Sequence, residues 1–209
     1  MPLASRVLLA APLSLVPVAS VPFPVAAAQR HAPLAGSVQE VPGAGALSGP
    51  ANRSVEAWFK TTSATDMPTV AYGPPGVANQ YFGVYVNGTA IEVKTGTGTT
   101  ITFPGSAALH NGAWHHLVVT YDSGAPAGNL MVYIDRVDFG TQTPVPAALN
   151  TTPDAAGFGA GKDEIPAFFN DSLDEVAIYS TVLSPTRSAA TSRPAQGPNF
   201  RFPPPALGR

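Results

Sequence analysis

The 209-residue chain contains no cysteine. That excludes a disulfide framework, a thiolate metal site and a cysteine nucleophile. Charge is scarce as well: Asp, Glu, Lys and Arg make up 11% of the residues, and the formal net charge is −2. A nucleic-acid-binding surface needs clustered cations, so nucleic acid is not an expected partner. At 44% hydrophobic residues, the chain is too apolar for the low-hydrophobicity, high-charge composition that keeps a chain unfolded. No repeat of 20–50 residues is visible, and no G-x-S-x-G elbow presents a serine nucleophile. What is plentiful is glycine (20) and proline (23), which mark turns inside a β protein and linkers outside one.

The ends differ from the middle. Residues Met1 to Ala28 carry one charge, Arg6, around a mostly apolar run from Val7 to Val21, with Ala26, Ala27 and Ala28 before Gln29. This is the layout of a secretory signal peptide over residues 1–28. Pro12, Pro17, Pro22 and Pro24 break a targeting helix as well as a membrane-spanning one, so a leader without packed structure or an internal piece of a larger protein is the alternative, a membrane anchor comes third, and no span is expected in the mature chain. Residues 29–37 are expected to be a linker and 191–209 a proline-rich tail without packed structure.

Between them the period is two, the signature of strands. Val55, Ala57 and Phe59 share one face; so do Phe82, Val84 and Val86. Asn87-Gly88 then supplies a hairpin signal before Ile91 and Val93, and a strand over 99–103 follows a Gly-Thr-Gly turn. His115, Leu117, Val119 and Tyr121 alternate with Trp114, His116, Val118 and Thr120. Further strands are expected over 130–134 and 173–179. Ser184 followed by Pro185 suits the start of a short helix over 184–190. Many short strands with turns every 8–12 residues predict an all-β fold over residues 38–190, an antiparallel β-sandwich or a barrel.

Five stretches, in order, resemble the laminin-G-like jelly roll of the concanavalin A-like lectin/glucanase superfamily. They are Ser54 to Lys60, Trp114 to Asp122, Met131 to Asp135, Gly157 to Gly161, and Leu173 to Tyr179 with Leu183-Ser184 after it. Arg136 departs from the pattern, since glycine usually fills that turn. The first strand is placed only loosely, near Gly36 to Val41. The resemblance implies two stacked antiparallel sheets, often with a bound calcium, in modules used for extracellular carbohydrate binding, adhesion and protein contact.

The chemistry of the residues points away from an enzyme. A retaining glycanase needs two carboxylates about 5–5.5 Å apart, and the E-x-D-x-x-E strand of the glucanase branch is absent. Asp171, Asp174 and Glu175 cluster in sequence, but only Asp171 and Glu175 share strand parity. His115 and His116 are neighbours on a strand and point to opposite faces, so they do not share one ion; His31 and His110 have no partner spacing. Tyr72, Tyr81, Tyr85 and the pair Phe168-Phe169 are candidate sugar platforms, because a ring face packs on a pyranose, yet ordinary packing explains each as well. No ligand-binding residue is singled out. Sequons begin at Asn52, Asn87, Asn150 and Asn170, and matter only in a glycosylating host.

One metal ligand is expected. Strand parity puts Asp174 with Val176 and Ile178 on the core side, where a carboxylate must be hydrogen-bonded or bound to a cation. Structural calcium, which takes oxygen ligands including backbone carbonyls, is one solution; backbone N–H donors are the other. The resemblance favours calcium, since the matching aspartate helps hold one in related glucanases. The sequence thus predicts a non-catalytic, secreted or cell-surface module for glycans or other extracellular polymers. The alternatives are a protein–protein or structural adhesion module and, third, a degenerate glycanase.

Overall fold

A computed structural model describes residues 32–33, 39–41, 48–125, 129–141, 148–152, 156–158 and 168–186. These form β1 (Ala32–Pro33), β2 (Gln39–Val41), β3 (Arg53–Lys60), β4 (Met67–Tyr72), β5 (Phe82–Asn87), β6 (Ala90–Gly96), β7 (Thr99–Phe103), β8 (Trp114–Asp122), β9 (Asn129–Ile134), β10 (Val137–Thr141), β11 (Ala156–Phe158) and β12 (Ser172–Tyr179). They assemble into two antiparallel six-stranded sheets. The first runs β1-β12-β3-β8-β9-β10 and the second β2-β11-β4-β5-β6-β7. β1 pairs with Leu173 and Ser172, so the sheet takes in Ala32 and Pro33 from the stretch read as a linker. The expected signal peptide and tail lie outside the described residues. So does most of the helix over 184–190, of which Pro185 and Thr186 are helical. Among the described residues no helix is long and apolar enough to cross a membrane.

Alternation explains the core. Val55, Ala57 and Phe59 of β3, Leu117, Val119 and Tyr121 of β8, and Leu130, Val132 and Ile134 of β9 face Val70, Tyr72, Phe82, Val84, Val86, Ile91 and Val93 of the other sheet. Each large apolar side chain removed from water contributes about 1.5–3 kcal/mol, so this double layer of interdigitated faces dominates the stability. β4 carries Pro68 near its start; a register shift between Pro68 and Val70 accommodates it, as bulges accommodate proline in strands. Thr95 continues the inward row of Ile91 and Val93, is fully buried, and its hydroxyl has no hydrogen-bond partner among the described residues. Thr69, also fully buried, donates its hydroxyl to the Val84 carbonyl at 3.0 Å.

Two further features fix the ends of the sandwich. Arg53 is wholly buried, with its guanidinium 5.5–5.9 Å from the ring centres of Tyr121, Phe82 and Tyr72. It donates to the carbonyls of Ala51 (3.0 Å) and Gly49 (2.8 Å), to Thr151 Oγ1 (2.8 Å) and to Tyr72 Oη (3.2 Å). Among the described residues no carboxylate lies within ion-pair range of it, so ring faces and oxygen dipoles satisfy the charge. At the opposite end, Asp135 and Arg136 make the β9–β10 hairpin with φ of 50° and 72°, the doubly left-handed turn whose twist suits a hairpin. The edge strand β10 then breaks register between Asp138 and Gly140.

Candidate functional site

The outward faces of the two sheets are chemically unlike. On the first, alternation sends Ser54, Glu56 and Trp58 of β3 outward beside Thr120, Val118 and His116 of β8. His116 Nε2 donates to Glu56 Oε1 at 2.9 Å, and the Tyr179 hydroxyl donates to Glu56 Oε2 at 2.6 Å. The Trp58 ring lies 4.9 Å from the His116 ring. Ser54, Glu56, His116, Val118, Thr120 and Ala177 are all buried. This face is closed, and its charged pair is internally satisfied.

On the second sheet, register sets two rows across the outward face. One runs Tyr85, Glu92, Thr102 and the other Gly83, Lys94, Thr100. Tyr81 and Tyr85 hydroxyls are 2.6 Å apart. Their rings close over Gly83, where a Cβ would stand 2.6 Å from Tyr81 and 2.7 Å from Tyr85, so glycine is required beneath them. Lys94 Nζ sits 4.0 Å from the Tyr85 ring centre, pairs with Asp66 and lies 3.7 Å from Glu92 Oε2. Asn87 Nδ2 donates to Glu92 Oε1 at 2.9 Å. Burial pushes the Tyr85 phenol up, against the pull of the Tyr81 hydroxyl and Lys94, so Tyr85 stays neutral at physiological pH. Thr100 and Thr102 are exposed, while Asn87, Glu92 and Lys94 are half-buried. This is the open, hydrogen-bonding face of the molecule.

A third polar group lies at the β9–β10 turn. Asp135 Oδ1 accepts the His116 N–H at 2.9 Å, and Oδ2 stands 2.7 Å from His115 Nδ1. His115 Nε2 is 3.1 Å from Asn111 Oδ1. Desolvation alone pushes the Asp135 carboxyl up. The hydrogen bonds from His115 and the His116 N–H, with the charge of both imidazoles, outweigh it and hold Asp135 below the usual carboxylate range.

The residues singled out in the sequence scatter. Tyr72 is a core residue packed on Phe82 and Arg53. Phe169 is fully buried against Phe59, whereas Phe168 is exposed. Tyr81 and Tyr85 do come together, but buried and joined through their hydroxyls rather than as an open platform. His115 and His116 point to opposite faces as expected; among the described residues neither has a serine or threonine hydroxyl as a hydrogen-bond partner, and nor does His110, whose Nδ1 is 3.2 Å from the Gly88 carbonyl. Asn150 and Asn170 are exposed; Asn52 Oδ1 accepts from the Ser123 N–H and hydroxyl, and Asn87 Nδ2 donates to Glu92.

Asp174 is the clear correction. β12 bulges between Asp174 and Ala177, with Glu175 at φ 49° as the extra residue. The bulge flips parity, so Asp174 lies opposite Trp58 on the outward face with Ala177 and Tyr179, while Val176 and Ile178 face the core. Asp174 is nonetheless buried, and its Oδ1 accepts the Glu175 N–H at 2.9 Å. Calcium needs six or more oxygens. Among the described residues no group of three carboxylates or histidines gathers, and a calcium at Asp174, whose other ligands would include backbone carbonyls, stays a proposal. The same bulge ends the expected shared parity of Asp171 and Glu175: Asp171 precedes the strand at φ 121° and Glu175 is exposed. The signals missed by alternation alone are Asp66, Glu92 and Lys94, whose meeting depends on a loop before β4 reaching β6.

The fold defines the class: an antiparallel two-sheet jelly-roll sandwich with one closed and one open outward face. Residues 35–187 match the family model described as the concanavalin A-like lectin/glucanases superfamily, and the chain belongs to it. Several solved structures are similar. The carbohydrate-binding module (CBM40) of a Ruminococcus gnavus sialidase, bound to α2,3-sialyllactose, is 18% identical over 79% of this chain and 96% of that one, with a TM-score of 0.60. Domain 4 of an extracellular arabinanase from Geobacillus stearothermophilus, in complex with arabinotriose, is 22% identical over 78% and 74%, with a TM-score of 0.56. A heptameric pentraxin from Limulus polyphemus is 14% identical over 72% and 71%, with a TM-score of 0.56. No curated protein sequence matches the chain.

Proposed function

We propose that the chain is a non-catalytic module, exported from its cell, that binds glycans through the outward face of β4 to β7. The observation that carries this reading is the contrast between the two faces. One outward face is buried and internally paired. The other offers the exposed Thr100 and Thr102 in register with half-buried Lys94 and Glu92, over a buried tyrosine pair. Sugar recognition uses such planar arrays of hydrogen-bonding side chains next to aromatic carbon. The similar carbohydrate-binding module and arabinanase domain support the same reading. A non-catalytic role is supported by the partners of His110, His115 and His116, which are carboxylate, amide or carbonyl oxygens rather than a nucleophile.

The test is a glycan array followed by calorimetry with the purified chain and a Thr100→Trp variant, which would cap the face. Binding lost in Thr100→Trp, with the melting temperature kept, is expected. Binding only to protein ligands would turn the reading toward adhesion, and turnover of any bound glycan would overturn the non-catalytic assignment. N-terminal sequencing of chain recovered from culture medium tests export: a mature end near Gln29 is expected, and an intact Met1 in the medium would overturn cleavage.

A further inference from the structure

We infer that the glycans accepted by the open face are uncharged, and that acidic sugars are rejected. This rests on the glycan-binding reading and narrows its ligand class. Four cations occur among the described residues: Arg53, Lys60, Lys94 and Arg136. Arg53 is enclosed in the core with its N–H groups spent on oxygens of Gly49, Ala51, Tyr72 and Thr151. Lys60 and Arg136 belong to β3 and the β9–β10 turn of the other sheet.

Lys94 is therefore the cation of this face among the described residues, and it is already committed. Asp66 pairs with it, Glu92 flanks it and the Tyr85 ring lies beneath it. One positive and two negative groups leave the cluster at a net −1. A sugar carboxylate or sulfate brought to Lys94 has to displace Asp66 and then sit beside two carboxylates. Recognition of such an anion calls for an unspent cation, best a guanidinium, and among the described residues the face presents none. An uncharged sugar meets no such conflict. Its hydroxyls donate to Glu92 and exchange hydrogen bonds with the exposed Thr100, with no ion pair broken.

The experiment is calorimetric titration of the full chain with arabinotriose, cellotriose and chitotriose on one side and 3′-sialyllactose and heparin oligosaccharides on the other. It is repeated at about 20 mM and about 500 mM NaCl, between which the Debye length shrinks severalfold. Expected is binding of at least one uncharged oligosaccharide, its Kd changing by less than about twofold with salt, and no binding of the acidic ones. The double variant Asp66→Asn, Glu92→Gln frees Lys94 and should gain salt-sensitive binding of an acidic oligosaccharide while retaining the β-sheet circular dichroism of the parent. Acidic oligosaccharide bound by the parent chain and weakened about tenfold or more by salt overturns the inference and leaves the glycan-binding reading standing. Binding of nothing in either class by the parent overturns both.

Discussion

Thr95→Val should stabilise the protein. The side chain lies on the inward row of β6, fully buried, and its hydroxyl has no hydrogen-bond partner among the described residues. Burying an unsatisfied hydroxyl costs about 1–3 kcal/mol in proteins, and valine removes that cost while keeping the shape and the β-branch that strands favour. The expected gain is about 1–3 kcal/mol, a rise in melting temperature of roughly 3–10 °C for a domain of this size. Thr69→Val is the matched control. Its hydroxyl donates to the Val84 carbonyl from an equally buried position, so the same substitution should destabilise by about 1 kcal/mol. Thermal and urea unfolding followed by circular dichroism read both. If the two variants shift stability in the same direction, or Thr95→Val lowers it, the account of inward polar satisfaction is wrong.

Further outcomes follow from the other polar groups. Arg136→Gly relieves a bulky residue at φ 72° and should raise stability by about 0.5 kcal/mol, read from the urea midpoint. Asp135 titrates below the usual carboxylate range, so its contribution is present above its unfolded value and is lost as pH falls through the lower, folded one. Asp135→Asn should flatten the acid limb of a stability–pH curve below about pH 4, and an unchanged limb refutes the assignment. His116→Ala leaves the Glu56 carboxylate without its buried partner and should cost about 3 kcal/mol; a smaller effect than an exposed Thr102→Ala control would contradict the closed-face description. Melting in calcium and in chelator tests the calcium expectation. A midpoint that rises with calcium supports the calcium reading, and identical midpoints remove it and leave Asp174 to hydrogen bonding.

Most of the sandwich was legible because a half-buried strand writes its two environments alternately into the chain. β3, β5 and β8 carry unbroken alternation, as does β6 up to its register shift between Lys94 and Gly96, and their inward residues are those the sequence selects. Where the backbone departs from regularity, alternation misleads. Glu175, an extra residue in β12, reverses the side of everything after Asp174, and nothing in the string Leu173 to Tyr179 announces it, since a glutamate is an unusual occupant of a left-handed position. β4 escaped notice for a related reason: Pro68 near its start reads as a break, yet a register shift absorbs it. The face assigned to ligand binding was hidden because it is a matter of tertiary neighbourhood. Asp66 meets Lys94 only once β4, β5 and β6 lie side by side.

The irregular edge at β10 bears on how such a module lives beside copies of itself. An outer strand with a long straight ladder of unpaired amides would invite a second sheet to continue it. Here the ladder is cut by the slip between Asp138 and Gly140, follows a tight turn carrying Arg136, and bears the exposed charge of Asp138. Crowded molecules meeting edge to edge find a bent and charged rim rather than a template. Zippering of sheets is thereby discouraged at high local density, the condition that a surface-displayed array of identical domains would impose.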